Sequence, residues 1–329
     1  KVEIVDGVVK VDPANLSGRK VWVYLACAFR YGSDDLDVAG LSCRRDIWIQ
    51  RQQLYPIEGT PPKTPMIESL MKKVGDQGIP FTFQMPTDLP CSVSLQPGPG
   101  DSGKACGVDF EVKAYIANER DNPDEKVSKK DTARLMIRKV QFAEKNSKAG
   151  PKGEVTKQFM MSDKPVHLEI NLEKELYHHG DPISVKVKVN NETTKVINKV
   201  KVWVEQQTTV CLFSSDTYCK PVHTEEFAET INANGTFEKS YTFTPSLNNN
   251  KEKRGLAVDG QLKNSDTNLA STTLSTGNKE MQGILISYKV KATLMVGGGG
   301  LLGGLTASDV TVEVPLVLMS PKPAEVTID

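Results

Sequence analysis

Residues Ile284–Leu294 read ILISYKVKATL, and apolar side chains occupy every second position of this run. A period of two places these side chains on one face of an extended strand and the remaining ones on the other face. The same alternation recurs in other short runs bounded by turn residues. These runs are Lys20–Phe29, Val108–Ile116, Ile183–Val189, Val200–Val204 and Val310–Leu318. Many short, half-buried strands predict an all-β protein built from antiparallel β-sandwiches.

One segment has the pattern of a helix. Pro65 suits the first helical turn, and Gly75 suits the position just past the helix end. The apolar residues between them follow the i, i+3, i+4, i+7 spacing of a single helix face. They are Ile67, Leu70, Met71 and Val74. We expect one short amphipathic helix lying on a sheet of the N-terminal domain.

The chain has 329 residues, which is enough for two β domains, each with its own core. Residues Glu144–Lys157 read EKNSKAGPKGEVTK, a polar segment with Gly and Pro and no apolar rhythm. Such composition is typical of a linker. We therefore expect an N-terminal domain over 1–143, a hinge over 144–157 and a C-terminal domain over 158–329.

Composition excludes several classes of protein. The 41 basic and 41 acidic residues balance, which argues against nucleic-acid binding by net charge. The 6 cysteines form no CxxC pair, and several lie in apolar runs, so we expect free thiols in a reducing, cytoplasmic compartment. The sequence shows no signal peptide and no apolar run of membrane-spanning length.

Enzymatic motifs are missing from the sequence. It contains no GxSxG motif, and its 4 histidines are scattered. His178 and His179 are adjacent, so in a strand they would point to opposite faces and could not chelate one ion. The glycine-rich run Val296–Gly304 lacks the Lys-Ser/Thr of a phosphate-binding loop. We predict no catalytic site, no metal site and no cofactor.

The loop Arg254–Ser271, RGLAVDGQLKNSDTNLAS, is the most informative charged segment. It places Asp259 and Asp266 on either side of Lys263. Acid-rich loops are usually just solvated, which is the simpler interpretation. The alternative is that the carboxylates pair with a buried arginine elsewhere in the chain.

Arg138 is the candidate for that arginine. It lies in Ala133–Val140, ARLMIRKV, where a strand would put Arg134 and Arg138 on the same face. Arg138 is either a solvated edge-strand side chain or a guanidinium paired to carboxylates between the domains. The second arrangement suits a switch, because a phosphate competes for arginine and leaves the carboxylates unpaired.

Other basic and apolar residues lie on surface segments. Lys129 and Lys130 are either plain surface charge or, with Arg134, a cluster that receives phosphate. Lys73 falls where the helix dipole alone favours a cation. Gly32–Arg45 is either a long hairpin or a flexible finger that enters a partner. Gly300–Leu305 displays leucines on a glycine-rich loop, which suits a lipid surface or a protein contact.

Five long motifs, in order along essentially the whole chain, resemble the arrestin family. They are VDGVVKVDP (5–13), AFRYGSDDLDVAGL (28–41), LPCSVSLQPGPGDSGKACGVDFEVKA (89–114), MSDKPVHLE (161–169) and the loop 254–271. The resemblance implies the arrestin fold, with two β-sandwich domains joined by a short hinge. It also implies binding to active, phosphorylated G-protein-coupled receptors and a block of G-protein coupling.

The resemblance implies residue roles by matching position. Arg138, Asp259 and Asp266 correspond to a phosphate-sensing polar core, and Lys129, Lys130, Arg134, Lys263 and Lys73 correspond to phosphate contacts. The finger loop that contacts the receptor corresponds to Asp35, Leu36, Asp37, Val38, Gly40 and Leu41. The membrane-touching edge corresponds to Leu301, Leu302 and Leu305.

The resemblance favours a visual, cone-type arrestin. Besides the overall match of the motifs, the chain has Glu205 and Gln261 where non-visual members tend to have basic residues. We then expect an opsin partner, recruitment from the cytoplasm to the membrane and a photoreceptor setting. Self-association stays open. The alternatives are a non-visual arrestin that acts as an endocytic and signalling scaffold, and an arrestin-fold cargo-sorting coat subunit.

Overall fold

The computed structural model describes residues 2–31, 44–101, 106–159, 164–260, 262, 267–274, 282–296 and 309–323. Within these residues the first half of the chain forms seven strands and one α-helix. The strands are β1 Val2–Lys10, β2 Lys20–Arg30, β3 Arg44–Tyr55, β4 Gly78–Pro86, β5 Val93–Leu95, β6 Gly107–Ala117 and β7 Thr132–Ile137. The helix is α1 Pro65–Val74.

The described residues of the second half form ten strands. They are β8 Lys152–Gln158, β9 Pro165–Leu172, β10 Leu176–His178, β11 Ile183–Asn191, β12 Ile197–Cys211, β13 Ser215–Ile231, β14 Gly235–Phe243, β15 Ala257–Asp259, β16 Gly283–Val296 and β17 Val310–Met319. Each of the six sequence-predicted strands falls within one of the observed strands, so the all-β prediction is confirmed.

The described residues form four sheets. In the first half, β1 pairs with β4, and a six-stranded sheet has the order β15-β5-β6-β2-β3 with β7 paired to β6. In the second half, the orders are β14-β11-β9-β8 and β10-β17-β16-β12-β13. All pairings between these strands are antiparallel except that of β10 with β17, which is parallel. The predicted pair of β-sandwich domains is confirmed, with one short parallel pair added.

Alternation along the strands builds the core. In β11 every second residue from Ile183 to Asn191 is buried, and the residues between them face outward. In the six-stranded sheet, β2 and β6 are buried on both faces over much of their length. The apolar residues of β2 run nearly continuously, whereas those of β6 alternate with Asp109, Glu111 and Lys113. The sandwiches therefore hold together chiefly by burial of Val, Ile, Leu and Phe side chains.

The helix α1 begins and ends as its sequence predicts. The Thr64 hydroxyl accepts the amide of Ile67 at 3.2 Å, and Pro65 fills the first turn. Gly75 ends the helix with φ +80° and donates its amide to Met71 at 2.9 Å. Ile67 is buried, so the helix covers the first sandwich with one face. No helix among the described residues is long and apolar enough to cross a membrane.

The predicted linker is partly a strand. Residues 152–157 lie in β8, which pairs with β9 at the edge of the four-stranded sheet. Almost every side chain of β8 is exposed or half-buried, so this strand shows no apolar rhythm in the sequence. The expectation of an irregular segment over 144–157 was therefore wrong for its last part. The domain limits themselves stay a prediction.

Candidate functional site

The segment 254–271 joins the two halves of the molecule through its backbone. It belongs to the second half by sequence, yet its strand β15 is an edge strand of the first-half sheet. Ala257 pairs with Leu95, Val258 with Ser94 and Asp259 with Val93. The next residue, Gly260, donates its amide to Ser92 O at 3.2 Å. The loop that looked solvated from composition is therefore fixed to the other half.

A buried glutamine of the second half holds β15 in place. Gln206 on β12 is 0% exposed, and its amide group bonds to both backbone groups of Ala257, at 2.9 Å to the carbonyl and 2.8 Å from the amide. Its side-chain nitrogen also donates to the Tyr288 hydroxyl at 2.9 Å. Because buried backbone groups must be hydrogen-bonded, this one side chain ties β15 to the second-half sheet.

The carboxylate of Asp259 points into the second half. Asp259 is 7% exposed. Its two oxygens accept the Ser271 amide at 2.9 Å, the Ser271 hydroxyl at 2.8 Å and the Ser320 hydroxyl at 3.4 Å. His179 Nε2 lies 2.9 Å from the Ser271 hydroxyl and 3.5 Å from Asp259. These hydrogen bonds supply the polar partners that a buried carboxylate needs.

Arg138 reaches the same segment from the first half. It lies just past the end of β7, and its guanidinium donates to the carbonyl of Gly260 at 3.1 Å. A side chain at position 260 would not fit, since its Cβ would lie 2.6 Å from Ser92 Cβ. The glycine therefore permits the close approach of the two segments. Arg138 contacts the backbone directly beside Asp259.

A direct Arg138–Asp259 ion pair is not found among the ion pairs of the described residues. Asp259 is held by hydroxyl groups and His179, whereas Arg138 holds the neighbouring carbonyl. Asp266 and Lys263 lie outside the described residues. The assignment of these residues to a phosphate-sensing core stays a prediction.

The basic residues predicted to contact phosphate lie in two kinds of setting. Lys129 and Lys130 form an exposed 3-10 turn, and their ammonium groups make no ion pair with any described residue. Arg134, on β7, is already engaged: it donates to the buried carboxylate of Glu111 at 2.7 Å. Lys73 is exposed in the last turn of α1. The expectation that Arg134 and Arg138 share one strand face is not met, because β7 ends at Ile137.

An aromatic contact brackets the predicted finger loop. Phe213, in the turn between β12 and β13, is 72% exposed. Its ring lies edge-on to Tyr31 at 6.1 Å and 5.0 Å from the guanidinium of Arg45. These two residues flank the segment 32–43 in sequence. The finger-loop residues Asp35, Leu36, Asp37, Val38, Gly40 and Leu41 and the edge residues Leu301, Leu302 and Leu305 lie outside the described residues.

Comparison with known proteins identifies the family. The model of the arrestin (or S-antigen) N-terminal domain matches residues 2–143, and that of the C-terminal domain matches residues 162–323. Arrestin-C of Aquarana catesbeiana is 56% identical over 99% of this chain and 84% of that protein. Arrestin-C of Sus scrofa is 55% identical over 98% of this chain and 83% of that protein. Arrestin-C of Homo sapiens is 52% identical over 98% of this chain and 84% of that protein. The chain belongs to the arrestin family.

Arrestins are receptor-binding regulators and not enzymes, so the prediction of a non-enzymatic protein is confirmed. The family binds activated G-protein-coupled receptors and desensitises them. The three relatives share the name Arrestin-C, the cone arrestin, which confirms the expected resemblance to the cone type. In this arrestin, sequence reasoning missed the partners that hold the predicted residues. These are Gln206, His179, Ser271, Ser320 and Glu111.

Proposed function

We propose that this arrestin binds light-activated, phosphorylated opsin and blocks its coupling to the G protein. The observation that carries the proposal is the position of segment 254–271. Residues 257–259 of this segment form a strand of the first-half sheet, whereas the Asp259 carboxylate is bound by second-half side chains. Arg138 contacts the residue between these two attachments. A ligand that takes Arg138 acts at the link between the domains.

Phosphate is the ligand that competes best for this arginine. A phosphate ester carries close to two negative charges at neutral pH and binds guanidinium bidentately, which makes it a strong competitor for Arg138 contacts such as that with the Gly260 carbonyl. The exchange of Gly260 O for phosphate therefore favours the phosphorylated receptor. Once Arg138 has left, Gly260 and the strand β15 lose a contact that holds them to the first half.

The exposed lysines provide the first contact with the receptor tail. Lys129 and Lys130 are exposed and make no described ion pair, so binding phosphate there breaks nothing. In this proposal Lys263, within the segment itself, adds to the phosphate site, and Asp266 belongs with Arg138 and Asp259 to the polar core. Docking on the lysines brings phosphates to Arg138, and the domains then rotate about the connection near residues 144–151.

The finger loop completes the proposed complex. Residues 35–41 enter the cytoplasmic cavity of the active receptor and occlude the G protein, while Leu301, Leu302 and Leu305 touch the membrane. The contacts of Phe213 with Tyr31 and Arg45 give way as the loop extends. In this proposal the protein is cytoplasmic at rest and is recruited to photoreceptor membranes. The Arrestin-C relatives favour this visual role over the scaffold and coat-subunit alternatives.

The test is co-sedimentation with membranes that contain cone opsin, in light and in darkness, with and without receptor phosphorylation. We expect binding above background only with light and phosphate together, and a matching loss of G-protein nucleotide exchange. The variant Lys129→Gln/Lys130→Gln should bind less. The control Lys186→Gln/Lys188→Gln, which removes two exposed lysines from β11, should bind as the wild type does. Binding that is indifferent to phosphorylation would contradict the proposal.

A further inference from the structure

Glu111 is the most deeply buried acidic side chain among the described residues, and it is shared by three strands. It lies on β6 with 1% of its surface exposed. Its carboxylate accepts Arg134 from β7 at 2.7 Å, Arg44 from β3 at 3.2 Å and the Tyr24 hydroxyl from β2 at 3.2 Å. Charge-assisted bonds of this kind are the strong ones in proteins.

The charges around Glu111 compensate each other. Arg44 also contacts Asp46 at 3.3 Å, so two arginines face two carboxylates. Burial alone would raise the pKa of Glu111, but the hydrogen bond from Arg134 and the charge of Arg44 outweigh it and hold the pKa below its usual value. Burial, together with the neighbouring Glu111 charge, raises the pKa of Tyr24 to about 12. Glu111 is thus an anion and Tyr24 a neutral donor at physiological pH.

Arg134 is therefore not an open anion site, in contrast to Lys129 and Lys130. Its side chain is 42% exposed, so a ligand can reach it, but the guanidinium is shared with a buried carboxylate. A ligand must compete with Glu111 for this cation. A carboxylate of a ligand carries the same single charge as Glu111, so it does not bind Arg134 more strongly than Glu111 does. A phosphate carries more charge and more acceptor oxygens and therefore competes better.

We propose that Glu111 is a specificity-determining residue that holds Arg134 until a phosphorylated serine or threonine of a receptor segment takes it. The inference rests on the proposed function, since it assumes that Arg134 contacts phosphate. Glu111 lowers the affinity of this position for every anion. Because of this competition, an acidic but unphosphorylated segment cannot readily displace Glu111 from Arg134, which favours phosphorylated segments.

The exchange is feasible because Glu111 keeps two donors. After Arg134 has turned to phosphate, Arg44 and Tyr24 remain at 3.2 Å each, so the buried carboxylate is not left unpaired. A buried carboxylate without any donor would destabilise the protein far more than the loss of one of its three donors. Arg44 itself belongs to the predicted finger segment Gly32–Arg45.

The test measures binding of the intact protein to a fluorescent phosphoserine peptide and to its unphosphorylated counterpart. Glu111→Gln keeps the shape and removes the charge. We expect it to bind the phosphopeptide about tenfold more tightly, because the competing charged hydrogen bond is gone. Adding Arg134→Gln should abolish this gain. The control Asp109→Asn removes the carboxylate paired with Arg30 on the same face of β6, and it should change affinity less than about twofold.

A second variant covers the case in which Glu111→Gln fails to fold. Arg44→Gln leaves Glu111 with Arg134 and Tyr24, so Glu111 should hold Arg134 more tightly and phosphopeptide affinity should fall. Arg30→Gln, which removes the same charge beside Asp109, should have a smaller effect.

The outcomes separate the two proposals. If the wild type does not bind the phosphopeptide, or if Arg134→Gln does not weaken binding, the phosphate contact itself is wrong and the inference falls with it. If Arg134→Gln weakens binding but Glu111→Gln leaves it unchanged or weaker, only the role of Glu111 is wrong. A gain in Glu111→Gln that persists without Arg134 would also overturn it, because the effect would then be general electrostatics.

Discussion

At the scale of single residues, Asp259 belongs to both halves of the protein. Its backbone pairs with Val93, whereas its carboxylate accepts hydrogen bonds from Ser271 and Ser320. The side chain therefore contributes to the attachment of the loop as well as to the local charge.

Replacement of Asp259 by Ala should destabilise the fold measurably. A buried amide and two hydroxyl groups lose an anionic acceptor, which should lower the free energy of unfolding by about 1.5–3 kcal/mol. Chemical denaturation followed by fluorescence measures this difference. Asp101→Ala is the control, because Asp101 is exposed and its ion pair with Arg254 is a surface one. Equal stability of the two variants would refute the role of Asp259.

The importance of Asp259 could be predicted from sequence, but its partners could not. The pattern of acids in 254–271 singled the residue out, and the family resemblance suggested Arg138 as its partner. Ser271 is 12 residues away at the end of the same loop, where its type gave no sign of this contact, and Ser320 is 61 residues away and belongs to none of the motifs. Glu111 was missed for a similar reason. In β6 it reads as the outward residue of an alternating strand, and only the packing of β2, β3 and β7 buries it.

At the scale of elements, the strand β15 is short and depends on its attachments. Three backbone pairs with β5 and the amide of Gln206 hold it. So short a strand has little stability of its own, because few hydrogen bonds offset the entropy of ordering it. Gln206 lies in the QQTT part of β12, where polar residues occupy inward positions that an apolar pattern cannot reveal.

The variant Gln206→Met tests this dependence. It keeps the volume but leaves the Ala257 amide without its acceptor and removes one of two donors to the Ala257 carbonyl, the other being the Ala270 amide, so we expect faster hydrogen exchange in the peptides covering 254–274. The free energy of unfolding should fall by about 1–3 kcal/mol. Gln53→Met is a suitable control, since the Gln53 amide bonds only to exposed groups of a turn. Unchanged exchange around β15 in Gln206→Met would show that the strand does not depend on Gln206.

The helix and most strands follow from local patterns, and the exceptions have physical causes. Thr64, Pro65 and Gly75 bound α1 as capping rules require. The edge strand β8 was assigned to a linker because its side chains face solvent and show no alternation. The ladder that fixes β8 consists of backbone hydrogen bonds to β9, which leave no trace in residue type.

At the scale of the whole molecule, the two halves are joined at several places. The backbone of Gln96 bonds to Leu256 and Gly255, Ala143 bonds to Ser320, and Phe213 packs on Tyr31 and Arg45. Arg138 differs from these contacts because its guanidinium donates to the carbonyl directly beside Asp259. Under the proposed function, one charged ligand that binds Arg138 changes the orientation of one sandwich relative to the other.

Binding of Arg138→Glu to light-activated but unphosphorylated opsin tests the central claim most directly. The substitution replaces the donor to Gly260 with an anion, which repels the Gly260 carbonyl. The contact between Arg138 and Gly260 is then lost without phosphate, just as it is lost when a phosphate neutralises the arginine in the proposed mechanism. We expect affinity for the unphosphorylated, active opsin to rise about tenfold, within the usual range of coupling between sites. Arg120→Glu, an exposed charge reversal in the same domain, should bind as the wild type does. If Arg138→Glu still requires receptor phosphates as the wild type does, Arg138 is not the sensor and the account is wrong.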